Sequence, residues 1–294
     1  MLKLPNFVVI GAAKSGTTAL YWYLREHPEV YMSPLKETNF FAYGVDHEGR
    51  LLYGDPDLHR FPVKGLDAYA DLFAEAGNAK AVGEASPIYL ECPEAAGRIQ
   101  QLLPDARIIC GLRDPVDRAY SDYLMYLRNR GLRFVPENEL QPSARWAQPG
   151  SHWMQLGFYH DQLARYYEAF SARNIHVFLF DDLGASEGEV VQGIYRFLDV
   201  DGDFVPDFDT PHNVGGVPVK MWLERLLTNG SLRRIADRIV PKAASDRVRA
   251  LRMRNMDKVP PLPASLRAEL VEYFHTDLEK TGGLIGKDLS RWHK

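Results

Sequence analysis

The chain has 294 residues, of which 46% are hydrophobic and 25% are charged, and its formal net charge is -4 at pH 7. This composition is ordinary for a soluble globular protein, and the length fits one large α/β domain with a sizeable core. Because the net charge is slightly negative, the chain offers no general attraction to nucleic acid, so any anion-binding site has to be local.

The cysteines and the hydropathy pattern also exclude some classes of protein. Two cysteines, Cys92 and Cys110, provide neither a framework of disulfide bridges nor the spacing of metal ligands, which favours a reducing compartment. No segment approaches the roughly 20 apolar residues that a membrane-spanning helix needs. The apolar run after Lys3 is short for a signal peptide and is broken by Lys14, so we expect a first structural strand in a cytoplasmic protein.

The first predicted strand leads through a phosphate-binding turn into a helix. Residues 7–10 form an apolar, β-rich run, and the helix is expected to begin at Thr17. Gly11 and Gly16 match the glycine spacing of a P-loop, but the lysine is Lys14 rather than the residue after the second glycine. Backbone N–H groups at a helix start favour phosphate, and Lys14 adds positive charge. Further hydrogen bonds would come from the hydroxyl groups of Ser15, Thr17 and Thr18.

Two interpretations of this turn remain open from the residues alone. The early lysine suits a short, metal-free phospho group better than a triphosphate that is held together with Mg²⁺. The alternative is an ordinary strand-to-helix turn whose glycines serve only the backbone geometry, because short glycine motifs have many false positives.

Strands and helices alternate along the rest of the chain. Strands are expected at 81–83, 107–112 and 176–180, and helices at 66–73, 93–103, 115–128, 157–172 and 189–198. This alternation predicts an α/β fold with a mostly parallel sheet, covered by helices on both faces, in a single domain over 1–294. Three segments are expected to vary with the substrate: a loop at about 43–63, a Trp-bearing surface loop or lid at about 131–156, and a basic helical part at about 217–258. The basic part could be a solvated helical face, or it could contact an anionic acceptor or a membrane surface.

A second anion-binding signal follows the predicted strand at 107–112. Arg113, Asp114 and Pro115 stand where that strand ends, and Ser121 lies about two turns into the next helix. Ligands of open α/β sheets bind at the carboxyl ends of the strands, so a guanidinium and a hydroxyl could hold one phosphate there. The alternative is an ion pair between Arg113 and Asp114 beside a helix-capping aspartate.

The two phosphate motifs together resemble those of sulfotransferases that use 3′-phosphoadenosine 5′-phosphosulfate (PAPS). The chain is most similar to bacterial relatives of the heparan sulfate (Golgi-type) sulfotransferases. One motif, Lys14-Ser15-Gly16-Thr17-Thr18, resembles the family's 5′-phosphosulfate loop. The other, Arg113-Asp114-Pro115 through Ser121, resembles the family's 3′-phosphate motif. Supporting similarities are Lys36-Glu37, Glu84-Ala85-Ser86-Pro87, Gly157-x-Tyr159 and the C-terminal run from Leu284 to Leu289.

The resemblance implies a P-loop-like fold and a metal-free reaction. The expected reaction transfers a sulfuryl group from PAPS to a hydroxyl, or as second choice an amine, of a carbohydrate, lipid or secondary metabolite, and releases 3′,5′-bisphosphoadenosine (PAP). Glu37 matches the family's catalytic base, and Lys14 would stabilise charge on the departing phosphate oxygen. Gly215, Gly216 and Lys220 stand where the family has a loop over the 3′-phosphate and adenine, although an ordinary turn fits them equally well.

Two departures from the heparan-type pattern leave the acceptor open. Asn39 stands where a histidine is usual, and Ala85 where a lysine is usual; Asn39 cannot shuttle a proton at neutral pH. Glu37 could also form no more than a surface pair with Lys36. The rival functions are a P-loop-type small-molecule kinase, which would need a lysine after Gly16, and a non-catalytic nucleotide- or glycan-binding protein. The pattern does not specify the oligomeric state.

Overall fold

A computed structural model describes residues 3–43, 63, 65–209, 217–218, 256–257 and 259–293 of the chain. The described residues belong to two compact units. The first unit is drawn from Met1–Asp114, Phe158–His212 and Thr276–Arg291. The second unit is drawn from Pro115–Gly157, Asn213–His275 and Trp292–Lys294. The organisation of 1–294 as one domain stays a prediction.

A parallel sheet of five strands forms the centre of the first unit. In chain order the strands are β1 (Phe7–Gly11), β2 (Val30–Met32), β3 (Ala81–Ala85), β4 (Arg107–Leu112) and β5 (Ile175–Leu179). Their spatial order is β2-β3-β1-β4-β5, which makes β1 the central strand. The predicted parallel α/β fold is therefore confirmed. The sequence analysis did not predict β2, because a run of only three residues carries little periodic signal.

Helices flank the sheet and form most of the second unit. The α-helices of the described residues are α1 (Thr17–Glu26), α2 (Gly65–Asp71), α3 (Ala95–Leu102), α4 (Pro115–Asn129), α5 (Pro136–Glu139), α6 (His152–Gln155), α7 (Tyr159–Ala169), α8 (Phe180–Ala185), α9 (Glu187–Phe197) and α10 (Ala264–Ile285). Most predicted boundaries lie within about two residues of these. Phe180, which was expected to end a strand, instead begins α8. In the described ranges, no helix combines the length and the apolar character that crossing a membrane requires.

One face of the sheet packs against α1 and α9 through large apolar side chains. Phe7 and Val9 lie on this face, because side chains alternate along β1. They share a buried cluster with Leu20, Leu24, Val191, Ile194 and Tyr195. Full burial of a side chain of this size contributes about 1.5–3 kcal/mol to stability. This packing fixes the position of the start of α1 relative to the end of β1, and so positions the turn between them.

The second unit contains the segment that was expected to be an open, Trp-bearing loop. The structure places α5 and α6 in it, together with a 3₁₀ turn at Arg145–Ala147. Trp146 is 0% exposed, and its indole N–H donates to the Glu139 carbonyl at 2.9 Å. Part of the segment is thus packed and helical rather than an open loop. Beside it in the same unit, two short strands, β6 (Val217–Pro218) and β7 (Met256–Asp257), pair antiparallel.

His176 on β5 is expected to make the protein sensitive to acid. Its ring lies 5.1 Å from that of Phe197, and burial, aided by the positive charge of Lys287, lowers the pKa of His176 from 6.5 to about 4. The unfolded chain therefore takes up the proton first, and stability falls as the pH drops from about 6.5 to about 4. Between pH 7.5 and pH 5, the free energy of unfolding of the His176→Phe variant should fall by about 2 kcal/mol less than that of the parent. Urea unfolding at both pH values measures this difference; equal pH dependence in variant and parent would contradict it.

Candidate functional site

The turn between β1 and α1 lies at the carboxyl end of the central strand. Gly16 precedes α1 with a φ of +82° and, as a glycine, has no side chain of its own to cap the helix start. Lys14 also has a positive φ, of +71°, which is uncommon for a residue with a side chain. The first N–H groups of a helix have no intrahelical acceptors, so an uncapped start can bind an anion. The local geometry thus agrees with the anion-binding interpretation of this turn.

Ser15 provides an independent sign of a ligand at this turn. Its side chain is 0% exposed, and its Oγ has no hydrogen-bond partner among the described residues. A buried polar group without a partner costs about 1–3 kcal/mol. Thr17 is also buried, and Thr18 is half-buried on the same first turn of α1. A bound anion with acceptor oxygens would satisfy the Ser15 hydroxyl.

The turn packs closely against β4 at Gly111. The Ala12 N–H donates to the Gly111 carbonyl at 2.6 Å. A Cβ added at Gly111 would lie 2.9 Å from the Ser15 carbonyl oxygen and 2.4 Å from Cζ of Phe178. A side chain at this position would therefore push against both the turn and the core.

We expect Gly111→Ala to destabilise the first unit by about 1–3 kcal/mol, because the added methyl overpacks this contact. Gly97 in α3 is the matched control, since a Cβ there meets nothing within 4 Å. Gly97→Ala should stabilise the protein by about 0.5–1 kcal/mol through its helix preference. Urea unfolding of both variants checks the pair, and a Gly111→Ala protein as stable as the parent would contradict the close packing.

Arg113 joins the turn between β1 and α1 (residues 12–16), which is called the phosphate turn after the role predicted for it, although Arg113 lies 99 residues from Lys14 in the sequence. Its Nη1 donates to the Lys14 carbonyl oxygen at 3.3 Å, and its guanidinium lies 4.7 Å from the centre of the Phe180 ring. The Tyr159 hydroxyl donates to the Arg113 carbonyl at 2.8 Å. The structure therefore brings the predicted 3′-phosphate arginine to the predicted 5′-phosphosulfate loop. Sequence analysis gave no signal for the contact with Phe180, since it placed that residue at the end of a strand and predicted no helix at α8.

Glu37 lies in a short segment of unusual backbone conformation. The φ angles of Glu37 and Asn39 are +61° and +54°. Such conformations cost about 1–3 kcal/mol each and are concentrated at functional sites. The Glu37 side chain is 44% exposed and pairs with the Lys36 ammonium. The surface pair considered in the sequence analysis is therefore present, and the carboxylate is also open to an incoming acceptor.

A buried carboxylate underlies this segment. Glu84 on β3 is 0% exposed and accepts four hydrogen bonds, each from a hydroxyl group and each between 2.6 and 2.9 Å long. The donors are Thr38, Tyr69, Ser86 and Tyr89. Sequence analysis noted Glu84 only as part of a resemblance; a carboxylate within an otherwise apolar strand was the signal that could have identified it.

The remaining predicted site residues belong to the second unit or lie outside the described residues. Ser121 lies in α4, in the second unit, and is half-buried. Gly215, Gly216 and Lys220 lie outside the described residues, as do most of 43–63 and most of 217–258. Within the part of the chain that the structure describes, acidic, His and Cys side chains form no group able to hold a metal ion.

Comparisons with known proteins agree with the fold. Residues 5–204 match the model of the sulfotransferase family. A crystal structure of a sulfotransferase from Alicyclobacillus acidocaldarius is similar over 99% of this chain and 100% of that chain, with a TM-score of 0.70 and 28% sequence identity.

Curated relatives match a shorter stretch. The membrane-associated sulfotransferase kil1 of Dictyostelium discoideum is 36% identical over 126 residues, which are 42% of this chain and 23% of that protein. The human bifunctional heparan sulfate N-deacetylase/N-sulfotransferase 2 is 36% identical over 123 residues, 41% of this chain and 13% of that protein. The human heparan sulfate glucosamine 3-O-sulfotransferase 3B1 is 34% identical over 128 residues, 44% of this chain and 28% of that protein. The matched stretch therefore spans less than a third of each of these three proteins.

Proposed function

The chain belongs to the sulfotransferase family, and we propose that it transfers a sulfuryl group from PAPS to a hydroxyl, or as second choice an amine, of a carbohydrate, lipid or secondary metabolite. The observation that carries the proposal is the turn before α1. There a buried Ser15 hydroxyl that has no partner among the described residues, the helix start after Gly16 and the Arg113 guanidinium come together. Each of these groups donates hydrogen bonds, which suits a ligand rich in anionic oxygens.

The residues present fit a donor with two separate phosphate groups. The 5′-phosphosulfate would be held by Lys14, Ser15, Gly16, Thr17 and Thr18. Arg113 and Ser121 are proposed for the 3′-phosphate, and Gly215, Gly216 and Lys220 for the loop over it. PAPS, when bound, supplies an activated sulfuryl group whose departure leaves PAP.

Glu37 and Lys14 have the chemical roles in this proposal. The Glu37 carboxylate takes the proton from the acceptor hydroxyl as that oxygen bonds to sulfur in line with the breaking bond to the phosphate oxygen. The Lys14 ammonium stabilises the negative charge that develops on that phosphate oxygen. Since Asn39 cannot exchange a proton near neutral pH, the proton is assigned to Glu37 alone.

The site favours this function over the two rivals. A kinase would need a lysine after Gly16 to reach the β- and γ-phosphates, and Thr17 stands there. A binding protein would not need an accessible carboxylate such as Glu37 on a strained backbone. The heparan sulfate acceptors named for two relatives are one option for this chain, although Asn39 and Ala85 depart from the heparan-type pattern.

The first experiment is calorimetric titration of the protein with PAP in the absence of metal, beside ATP with Mg²⁺. Metal-independent binding of PAP in preference to ATP supports the proposal. A preference for ATP with Mg²⁺, or no binding of either nucleotide, contradicts it. Transfer of ³⁵S from labelled PAPS to a panel of heparan-type oligosaccharides, fatty alcohols and phenols, with water as the background acceptor, then identifies the acceptor class.

A further inference from the structure

The Glu84 carboxylate is unusual because all the hydrogen bonds that it accepts from the described residues come from hydroxyl groups. It is fully buried, and no lysine or arginine of the described residues forms an ion pair with it. Thr38 and Ser86 donate to Oε2, at 2.6 and 2.7 Å, while Tyr69 and Tyr89 donate to Oε1, at 2.7 and 2.9 Å. Two donors at each oxygen fill the acceptor positions of a carboxylate.

Charge and burial oppose each other at this group. Burial raises the pKa of Glu84, and the four hydroxyl donors act in the opposite direction by stabilising the ionised form. An isolated buried carboxylate would cost far more free energy than a buried neutral side chain. Because burying the Glu84 carboxylate costs free energy, we expect its network of hydrogen bonds to serve a function.

The hydroxyl network connects the sheet to the backbone around Glu37. Glu84 has a fixed place in the sheet, because its Cα pairs in register with that of Val8 on the central strand. Thr38 Oγ1 donates to the Glu84 carboxylate, and the Asn39 N–H donates to Ser86 Oγ at 3.1 Å. The Glu37 N–H donates to the Ala85 carbonyl at 3.0 Å. Residues 37, 38 and 39 are thus each bonded to β3 or to the residue that follows it.

These bonds stabilise the strained backbone conformation of residues 37–39. Glu37 and Asn39 have positive φ angles, and Thr38 lies between them with its side chain buried. A left-handed conformation at a residue with a side chain persists only when its surroundings stabilise it. The bond from Thr38 to Glu84 is a buried contact at the centre of this segment, and Thr38 Oγ1 also lies 3.0 Å from the Tyr89 hydroxyl, which itself donates to Glu84.

We propose that Glu84 is the positioning residue of the proposed reaction: its hydroxyl network holds residues 37–39 in the conformation that presents the Glu37 carboxylate. This inference rests on the proposed function, in which Glu37 is the base. Glu84 itself takes no proton from the acceptor and acts only through Glu37.

Two readouts test the proposal. In hydrogen–deuterium exchange, Glu84→Gln should increase exchange at least about tenfold in peptides covering 36–43, and leave peptides covering 12–18 unchanged. In the ³⁵S transfer assay, with the best acceptor of the panel or with water, kcat should fall by about 10- to 100-fold, as for a base displaced by about an ångström. Binding of PAP should stay within about twofold, since the phosphate turn is not bonded to Glu84.

Thr38 supplies a matched pair of variants in case Glu84→Gln folds poorly. Thr38→Val removes the hydroxyl at nearly constant volume and should reproduce the loss, whereas Thr38→Ser keeps the hydroxyl and should retain most of the turnover. Unchanged exchange of 36–43 in Glu84→Gln, or equal turnover of the two Thr38 variants, would overturn the proposal.

A double-mutant cycle with Glu37→Gln separates positioning from a general structural role. If Glu84 acts through Glu37, the double variant should turn over no more slowly than Glu37→Gln alone. Multiplying losses would mean that Glu84 acts elsewhere, and would overturn this inference while the proposed function stands. If Glu37→Gln alone has full turnover, the assignment of the base fails instead, and the exchange experiment still decides whether Glu84 holds the segment.

Discussion

Glu37→Gln is expected to lower turnover of PAPS with an acceptor by about 10²- to 10⁴-fold, the usual contribution of a general base. Glutamine keeps the size of the side chain and loses only the ability to take the proton. The affinity for PAP should stay within about twofold, because Glu37 is bonded to β3 and Lys36 rather than to the phosphate turn. The measurements are initial rates of ³⁵S transfer and calorimetric titration with PAP.

Glu75→Gln is the matched control for this variant. Glu75 is an exposed carboxylate of the same unit, and its substitution removes the same charge. Its rate and PAP affinity should match those of the parent. A Glu37→Gln protein that transfers sulfuryl groups at the parent rate would exclude Glu37 as the base and return the carboxylate to a surface pair with Lys36.

Loss of either cation at the phosphate turn is expected to weaken PAP binding by about 10- to 150-fold, since a hydrogen bond to a charged group contributes about 1.5–3 kcal/mol. The variants are Lys14→Met, which keeps most of the aliphatic chain, and Arg113→Ala. Arg113→Ala also removes the bond to the Lys14 carbonyl and the contact with Phe180, so its effect should be at least as large. Lys14→Met should in addition lower kcat, because Lys14 is proposed to stabilise the leaving oxygen.

Arg173→Ala serves as the control for loss of positive charge. Arg173 is exposed in the 3₁₀ turn Ala172–Asn174 and belongs to the same unit. Its PAP affinity should equal that of the parent in calorimetry at constant salt, which excludes a general charge effect. Parent-like affinity in both Lys14→Met and Arg113→Ala would remove the phosphate turn from the nucleotide site and contradict the proposed function.

The acceptor is expected to depend on residues away from the phosphate turn. The nucleotide motifs are shared by proteins with different acceptors, so they carry little information about that substrate. The segments at about 43–63, 131–156 and 217–258 are proposed to select it. Of these, the segment at 131–156 is partly helical and anchored by the buried Trp146, so exposed positions around that residue are the first ones to vary in an acceptor screen.

Local signals in the sequence were sufficient for four of the five strands of the parallel sheet and for the strand, turn and helix start at residues 7–17. A short apolar run followed by spaced glycines and a helix start involves neighbours within about a dozen residues, and backbone conformation over such a distance depends mainly on residue type. The same holds for Arg113 at the end of β4. These predictions needed no knowledge of which distant segments meet.

Only the tertiary structure decided the contacts between distant segments. Arg113 reaches the Lys14 carbonyl across 99 residues, and Glu84 receives the hydroxyl of Thr38 across 46. Similarly, the low pKa of His176 depends on burial beside Phe197. Hydrogen bonds and burial of this kind arise when folding brings remote elements together, and one sequence contains no local periodicity that reports them. The sequence by itself thus determined the strands, the turn between β1 and α1 and the candidate phosphate-binding residues, and the fold decided that Arg113 meets this turn and that Thr38 meets the buried Glu84.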